Sequence, residues 1–265
     1  MRNQFFSRLW QYAPLSWAII RTPECTLLSK QRYISPVLEI GCGDGFVTQL
    51  IFNNQKKSVD VGIDLDAQEL RRATKTGMYR VLKCTDIRKN SFKSNSFNTI
   101  FANGVLEHIP NLDRAISEIA RLLKKNGKLF TTSPTPTYTQ LLFYYRLFNF
   151  LGFRWLAEWY GKKINYIFAH HNLLVKSEWI QLLKKYKLHI THSSEYNNPP
   201  STALHDLMLP LAVLTKSIKK RTDEMVLFPN IRWIFIKPFA PIIEKMINHH
   251  STMYASILLI AKKSE

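Results

Sequence analysis

The run Val37-Leu-Glu-Ile-Gly-Cys-Gly-Asp-Gly45 constrains the fold more than any other part of the chain. An apolar stretch, Val37 to Ile40, leads into glycines at alternate positions, Gly41, Gly43 and Gly45, and a helical pattern follows. Glycine has no Cβ, so such a turn can enter conformations closed to other residues and lets a ligand lie against the main chain. The helix after the turn aims unpaired N–H groups and its positive dipole end at the same place. Strand, glycine turn and helix together point to an α/β sheet with a nucleotide-like ligand at its edge.

The spacing narrows the ligand. The dinucleotide fingerprint is G-x-G-x-x-G, and a Walker loop closes on Lys-Ser or Lys-Thr. This chain has G-x-G-x-G, no such lysine pair, and Glu39 two places before the first glycine. A carboxylate there disfavours pyrophosphate and suits a cationic amino-acid nucleoside. Ser58 to Ile63 reads as a second strand ending at Asp64, placed to accept hydrogen bonds from ribose hydroxyls. Asp66 with Glu69 three residues on reads as a capping box for the next helix. Tyr79 to Lys83 precedes Asp86, and Thr99 to Ala102 reads as a fourth strand leading to Asn103 and Gly104. Leu112, Ile116, Ile119, Leu122 and Leu123 form an apolar helical stripe. Gly127 is expected to end that helix, with a fifth strand over Leu129 to Thr132.

These blocks, in this order from Pro36 to Ser133, resemble the class I S-adenosylmethionine-dependent methyltransferases, in particular the type 11-like domain. The matching segments are Val37–Gly45, Val61–Asp64, Cys84–Asp86, Phe97–Pro110 and Ile119–Leu129. The resemblance implies a Rossmann-like, seven-stranded, mostly parallel sheet with flanking helices and S-adenosyl-L-methionine as cofactor. It implies that Glu39, Gly41, Cys42, Gly43 and Gly45 form the cofactor turn, with Asp64 on the ribose and Leu65 beside the adenine. Asp86 is implied near the adenine amino group, Ile87 over the ring, and the backbone around Asn103 beside the methionine part. One residue departs from the family pattern: Asn98 stands where aspartate is usual.

The rest of the chain is read as additions to that core. Residues 1–35 form a helical prelude, and 36–136 the cofactor half of the core. Residues 137–168 form an aromatic helical insertion, and 169–196 a core helix (from Ser177 to Tyr186) and sixth strand (Leu188 to His192). Residues 197–251 are a second insertion, and 252–265 the last strand and tail. The insertions are expected to pack together as a helical lid over the acceptor site. Cys25, Cys42 and Cys84 are odd in number and lack metal spacing, which suggests a reducing compartment and no metal. No signal-peptide or membrane-spanning run is found, so a cytoplasmic location, peripheral to the membrane, is expected.

Thirty-seven basic against 19 acidic residues give a net charge of +18, which calls for an anionic neighbour or reflects a compositional bias toward Lys, Ile and Asn. Basic groups interleaved with Phe, Trp and Tyr favour an anionic membrane over nucleic acid, since no RNA-binding module is recognisable. An oxygen acceptor needs a base. His108 and His171 are the catalytic candidates, beside Glu107 and His170. The function expected is methyl transfer to a small or lipid-linked hydroxyl acceptor. Two alternatives remain open: methylation of RNA or a soluble metabolite, and a non-catalytic cofactor-binding interaction protein.

Overall fold

The computed structural model describes residues 3–53, 58–212, 225–226 and 229–264. Strands β1 (Val37–Ile40), β2 (Val59–Asp64), β3 (Tyr79–Cys84), β4 (Phe97–Asn103), β5 (Leu123–Pro134), β6 (Leu188–Tyr196) and β7 (Ser256–Lys263) form one sheet in the order β3-β2-β1-β4-β5-β7-β6. The pairs β1–β2, β1–β4, β2–β3 and β4–β5 are parallel. Ser264 N–H donates to Lys187 O and Thr191 Oγ1 to Ile260 O, so β7 descends as β6 ascends, and that pair is antiparallel. This is the seven-stranded, Rossmann-like α/β sheet expected from the sequence.

The strand order reverses between β1 and β4, and in open α/β sheets the crevice at that reversal receives ligands. β1 is buried throughout because it sits in the sheet's middle with covered faces, which is why its sequence is a continuous apolar run rather than an alternation. Tyr33, Phe52, Phe101 and Phe130 form a buried aromatic cluster with ring centroids 4.5 to 5.8 Å apart, Tyr33 stacked on Phe52 and the other pairs edge-on or tilted. Asn98 Nδ2 donates to Ser35 O at 2.7 Å, a bond that an aspartate could not make.

Three local expectations are corrected. The amphipathic helix, Leu112–Leu122, ends before Gly127: Leu123 is already extended and pairs with Phe97. The ladder resumes only at Thr99 with Lys128, because Asn126 takes a left-handed φ of 64° and the intervening residues bulge out. The capping box at Asp66 is also half replaced. Asp66 Oδ1 caps Gln68 and Glu69 as expected, but the Asp66 N–H goes to Asp64 Oδ1, while Glu69 pairs with Arg72. The sixth strand runs on to Tyr196, past His192, because β7 supplies a partner along its length.

The described residues divide into two compact units. One, 27–135 with 168–195 and 257–265, carries the sheet. The other gathers 1–26, 136–167 and 196–256. In this second unit the N-terminal segment is helical over Gln4–Tyr12 and Leu15–Leu28. Arg232 lies 3.8 Å from the centre of the Trp10 ring and donates to the carbonyls of Trp10 and Ala13. His205 is buried and neutral, bonded between Ser16 O and the Tyr138 hydroxyl, and burial pushes its pKa down to about 4. The basic run Lys216-Ser-Ile-Lys-Lys-Arg221, part of the second insertion in the sequence, lies outside the described residues.

Candidate functional site

The glycine turn is fastened to the neighbouring strand. Gly41 and Cys42 both donate their N–H groups to Ile63 O, at 2.8 and 3.1 Å, at the end of β2. Gly41, Gly43 and Gly45 have φ of 67°, 53° and 76°, the left-handed region that L side chains avoid. Their surroundings differ. A Cβ on Gly41 would meet Val105 at 2.5 Å, and one on Gly45 would meet the Tyr79 ring at 2.9 Å. A Cβ on Gly43 would meet no protein atom within 4 Å. Close packing thus explains two of the glycines, and open space the third.

Beside the turn, at the carboxyl ends of β1 and β2, lies a cleft of about 280 Å³. Its lining includes Gly41, Asp64 and Leu65 at the ends of the first two strands, Asp86, Ile87 and Arg88 after the third, and Val105, His108 and Pro110 after the fourth. Asp64 is oriented by two backbone donors: Oδ2 accepts from Gly43 N–H at 2.8 Å and Oδ1 from Asp66 N–H at 2.9 Å. Each oxygen retains a lone pair for a hydroxyl donor. Leu65 is 68% exposed at the rim although it is apolar, and Ile87 is buried in the cleft's wall. A flat apolar ring suits the space between such residues, and a diol suits Asp64.

Other sequence-predicted residues sit differently. Glu39 is 3% exposed and enclosed by protein donors, Thr48 Oγ1 at 2.6 Å and Tyr79 OH at 2.9 Å. Burial, reinforced by the nearby Asp64 charge, pushes its pKa up to about 8. Thr48 and Tyr79 were not among the predicted residues; nothing in the sequence links positions 9 and 40 residues from Glu39. Gly45 makes room for that Tyr79 ring rather than for a ligand. Cys42 is buried, and desolvation raises its thiol pKa, so it is a packed side chain rather than a nucleophile. The Asn103 side chain accepts from Thr132 Oγ1 at 2.6 Å, and Asn103 is not part of the cleft's lining.

Asp86 is gripped by its neighbour. Arg88 donates to it from the backbone, Nε and Nη2, and holds its carboxyl below the usual carboxylate range. Arg88 Nη1 also donates to Pro110 O at 2.7 Å, so one guanidinium ties both rims of the cleft. Sequence reasoning missed Arg88, whose signal was only its place two residues after Asp86.

The two histidine candidates separate. His108 lines the cleft, with Nδ1 3.2 Å from Ala169 O and Nε2 3.7 Å from Glu107 Oε1. His170, not His171, stacks on it at 5.5 Å, and Phe168 stacks on the far side of His170 at 5.7 Å. Burial, then the His108 charge, pushes the His170 pKa down to about 4. His171 is exposed, outside the cleft's lining, and anchored by its N–H to Glu107 O. Among the described residues, no group of three His, Cys, Asp or Glu could hold a metal ion.

The comparisons with known proteins bear on the fold and the family. The family profile described as "Methyltransferase domain" matches residues 38–131. Residues 38–131 form a methyltransferase domain of the class I S-adenosylmethionine-dependent kind. A malonyl-acyl-carrier-protein O-methyltransferase of Legionella pneumophila is 32% identical over 109 residues, covering 40% of this chain and 38% of that one. A ubiquinone biosynthesis O-methyltransferase of Xanthomonas euvesicatoria is 31% identical over 107 residues, covering 38% and 44%. The chain therefore matches less than half of each relative. A solved geranyl diphosphate C-methyltransferase from Streptomyces coelicolor shares the fold with a TM-score of 0.54 at 16% identity, covering 93% of this chain and 79% of its own. So does the 4+2 cyclase SpnF, with a TM-score of 0.56 at 16% identity, covering 94% and 82%. One methyltransferase fold thus serves unlike reactions, and the acceptor must be argued from the site.

Proposed function

We propose that this methyltransferase transfers a methyl group from S-adenosyl-L-methionine to a small or lipid-linked hydroxyl acceptor reached at a membrane surface. The observation that carries the cofactor half is the cleft at the strand-order reversal, where Asp64 is oriented by two backbone donors beside exposed Leu65 and buried Ile87. Those residues fit a nucleoside: Asp64 would take the ribose hydroxyls, and Leu65 and Ile87 the ring faces. The open space over Gly43 would let part of the cofactor approach the main chain. When bound, the cofactor supplies a methyl group made electrophilic by its sulfonium.

The chain's own part is orientation and proton handling. Methyl transfer is an in-line displacement, so fixing the acceptor oxygen near the methyl supplies much of the acceleration. His108 is the assigned base. Its ring is held by the His170 stack, and in the tautomer with the proton on Nδ1 that N–H donates to Ala169 O and Nε2 is the basic nitrogen. The neighbouring His170 stays neutral near pH 7, so it does not oppose the positive charge His108 acquires. The hydroxyl class accords with the O-methyltransferase names of the two relatives. Transfer of radiolabelled methyl from S-adenosyl-L-methionine into fractionated cell extract tests the reading. Label in the organic phase is expected; label confined to aqueous or nucleic-acid fractions would favour a soluble metabolite or RNA, and no transfer despite cofactor binding would favour the non-catalytic alternative.

A further inference from the structure

The hairpin formed by helices Phe143–Phe150 and Arg154–Ile167 exposes what a solvated surface normally hides. Residues 149–155 are all exposed, and among them Phe150 is 87% and Trp155 72% accessible. Along the second helix, Trp155, Trp159, Lys162 and Tyr166 recur at i, i+4, i+7 and i+11, which places them on one face. The opposite face, Ala157, Gly161 and Ile164, is buried. Gly161 fixes this orientation: a Cβ there would stand 2.4 Å from Thr139 Cγ2, so the helix is seated by backbone approach and cannot roll its tryptophans inward. The aromatic face is a stable outward surface, not an unpacked core.

The charges choose its occupant. Residues 137–167 hold four basic side chains, Arg146, Arg154, Lys162 and Lys163, and one acidic, Glu158, which accepts from the Tyr145 hydroxyl. Lys163 lies 5.4 Å from the centre of the Tyr166 ring. Tryptophan and tyrosine have an apolar body and a polar tip, and they settle at the headgroup boundary; lysines beside them meet anionic lipid. We propose that this hairpin docks the protein on an anionic lipid bilayer, with Phe150, Trp155 and Trp159 entering the interface and Lys162 and Lys163 meeting the headgroups. The assignment rests on the proposal of an acceptor reached at a membrane, and gives that proposal a defined surface.

The test is sedimentation of the full chain with vesicles of phosphatidylcholine alone or mixed with phosphatidylglycerol. Binding is expected to the mixed vesicles and to weaken with added salt. Phe150→Ser and Trp155→Ser should each weaken partitioning about tenfold or more, with unchanged melting temperature because both side chains are exposed. Lys162→Glu with Lys163→Glu should remove the preference for phosphatidylglycerol. Absence of binding to mixed vesicles, or equal binding by the serine variants, overturns the proposal, as does binding indifferent to lipid charge. A concentration-dependent dimer abolished by Trp155→Ser, without vesicle binding, would give the face to a second copy of the chain instead. None of these readouts needs methyl transfer, and cofactor titration on the same samples reports that reading separately.

Discussion

Replacing Glu39 by glutamine should make the protein more stable near neutral pH. The Glu39 carboxyl is buried beside Asp64, and its pKa rises from 4.5 to about 8 in the folded chain. An acid with a raised folded pKa costs nothing below its unfolded pKa, where both states are protonated. Between about pH 4.5 and 8 the unfolded chain is ionised while the folded one is not, so stability falls by up to about 1.4 kcal/mol per pH unit. Above about pH 8 the folded group ionises too and the loss levels off. The full window would give about 5 kcal/mol as a ceiling; relaxation around a buried carboxyl makes roughly 2–4 kcal/mol the expected size. Glutamine does not titrate, and its amide can still accept from Thr48 and donate to the Tyr79 oxygen. Urea unfolding of both proteins at intervals from about pH 5 to 9 should therefore show the variant's advantage growing by about 1 kcal/mol per pH unit up to pH 8, then levelling. A difference that stays flat across this range would refute the reasoning and place the charge of Glu39 within reach of solvent.

Four further outcomes are expected. Gly43→Ala should lower stability only by the left-handed strain, about 1–2 kcal/mol, and weaken binding of S-adenosyl-L-methionine in calorimetric titration; Gly41→Ala should lose about 2–5 kcal/mol, because Val105 must also yield. Equal thermal shifts for the two would contradict the packing described. Asp64→Ala should weaken cofactor binding by about 1–3 kcal/mol, and unchanged affinity would move the ribose contact elsewhere. His108→Ala should lower turnover about 10²- to 10⁴-fold with cofactor affinity intact, whereas His171→Ala should change neither, and the reverse result would exchange their roles. Arg88→Ala should let the Asp86 carboxyl titrate closer to its ordinary range in carbon-detected NMR, since Arg88 is its main hydrogen-bond donor; an unmoved titration would mean another group holds it.

The cofactor half was legible because its signals are local. A strand, a glycine turn and a helix lie within a dozen residues of Val37, and the residue types alone report backbone freedom, burial and capping. Asp64, Leu65 and Ile87 end up around one cleft because parallel strands deliver their carboxyl ends to the same edge, a consequence of topology that the order of blocks already implied. Asn98 shows the opposite case, since its partner Ser35 is 63 residues away and no local pattern announces the bond.

What only tertiary structure decided are the pairings across long separations. Thr48 and Tyr79 enclose Glu39 and turn an apparent ligand-facing carboxylate into a buried, mostly protonated one at neutral pH. Gly45 looked identical to Gly43 in sequence, yet one receives the Tyr79 ring and the other faces open space. Adjacent histidines could not be ranked until the chain after Phe168 folded back on the Leu106–Pro110 turn, where Asn172 Nδ2 binds the carbonyls of Leu106 and Ile109 and brings His170 onto His108. In the aromatic insertion, composition counted the tryptophans, but the buried Gly161 contact decided which way they face. Local chemistry is fixed by the covalent chain and its propensities. Protonation, exposure and partnership are set by neighbours that only the closed fold supplies.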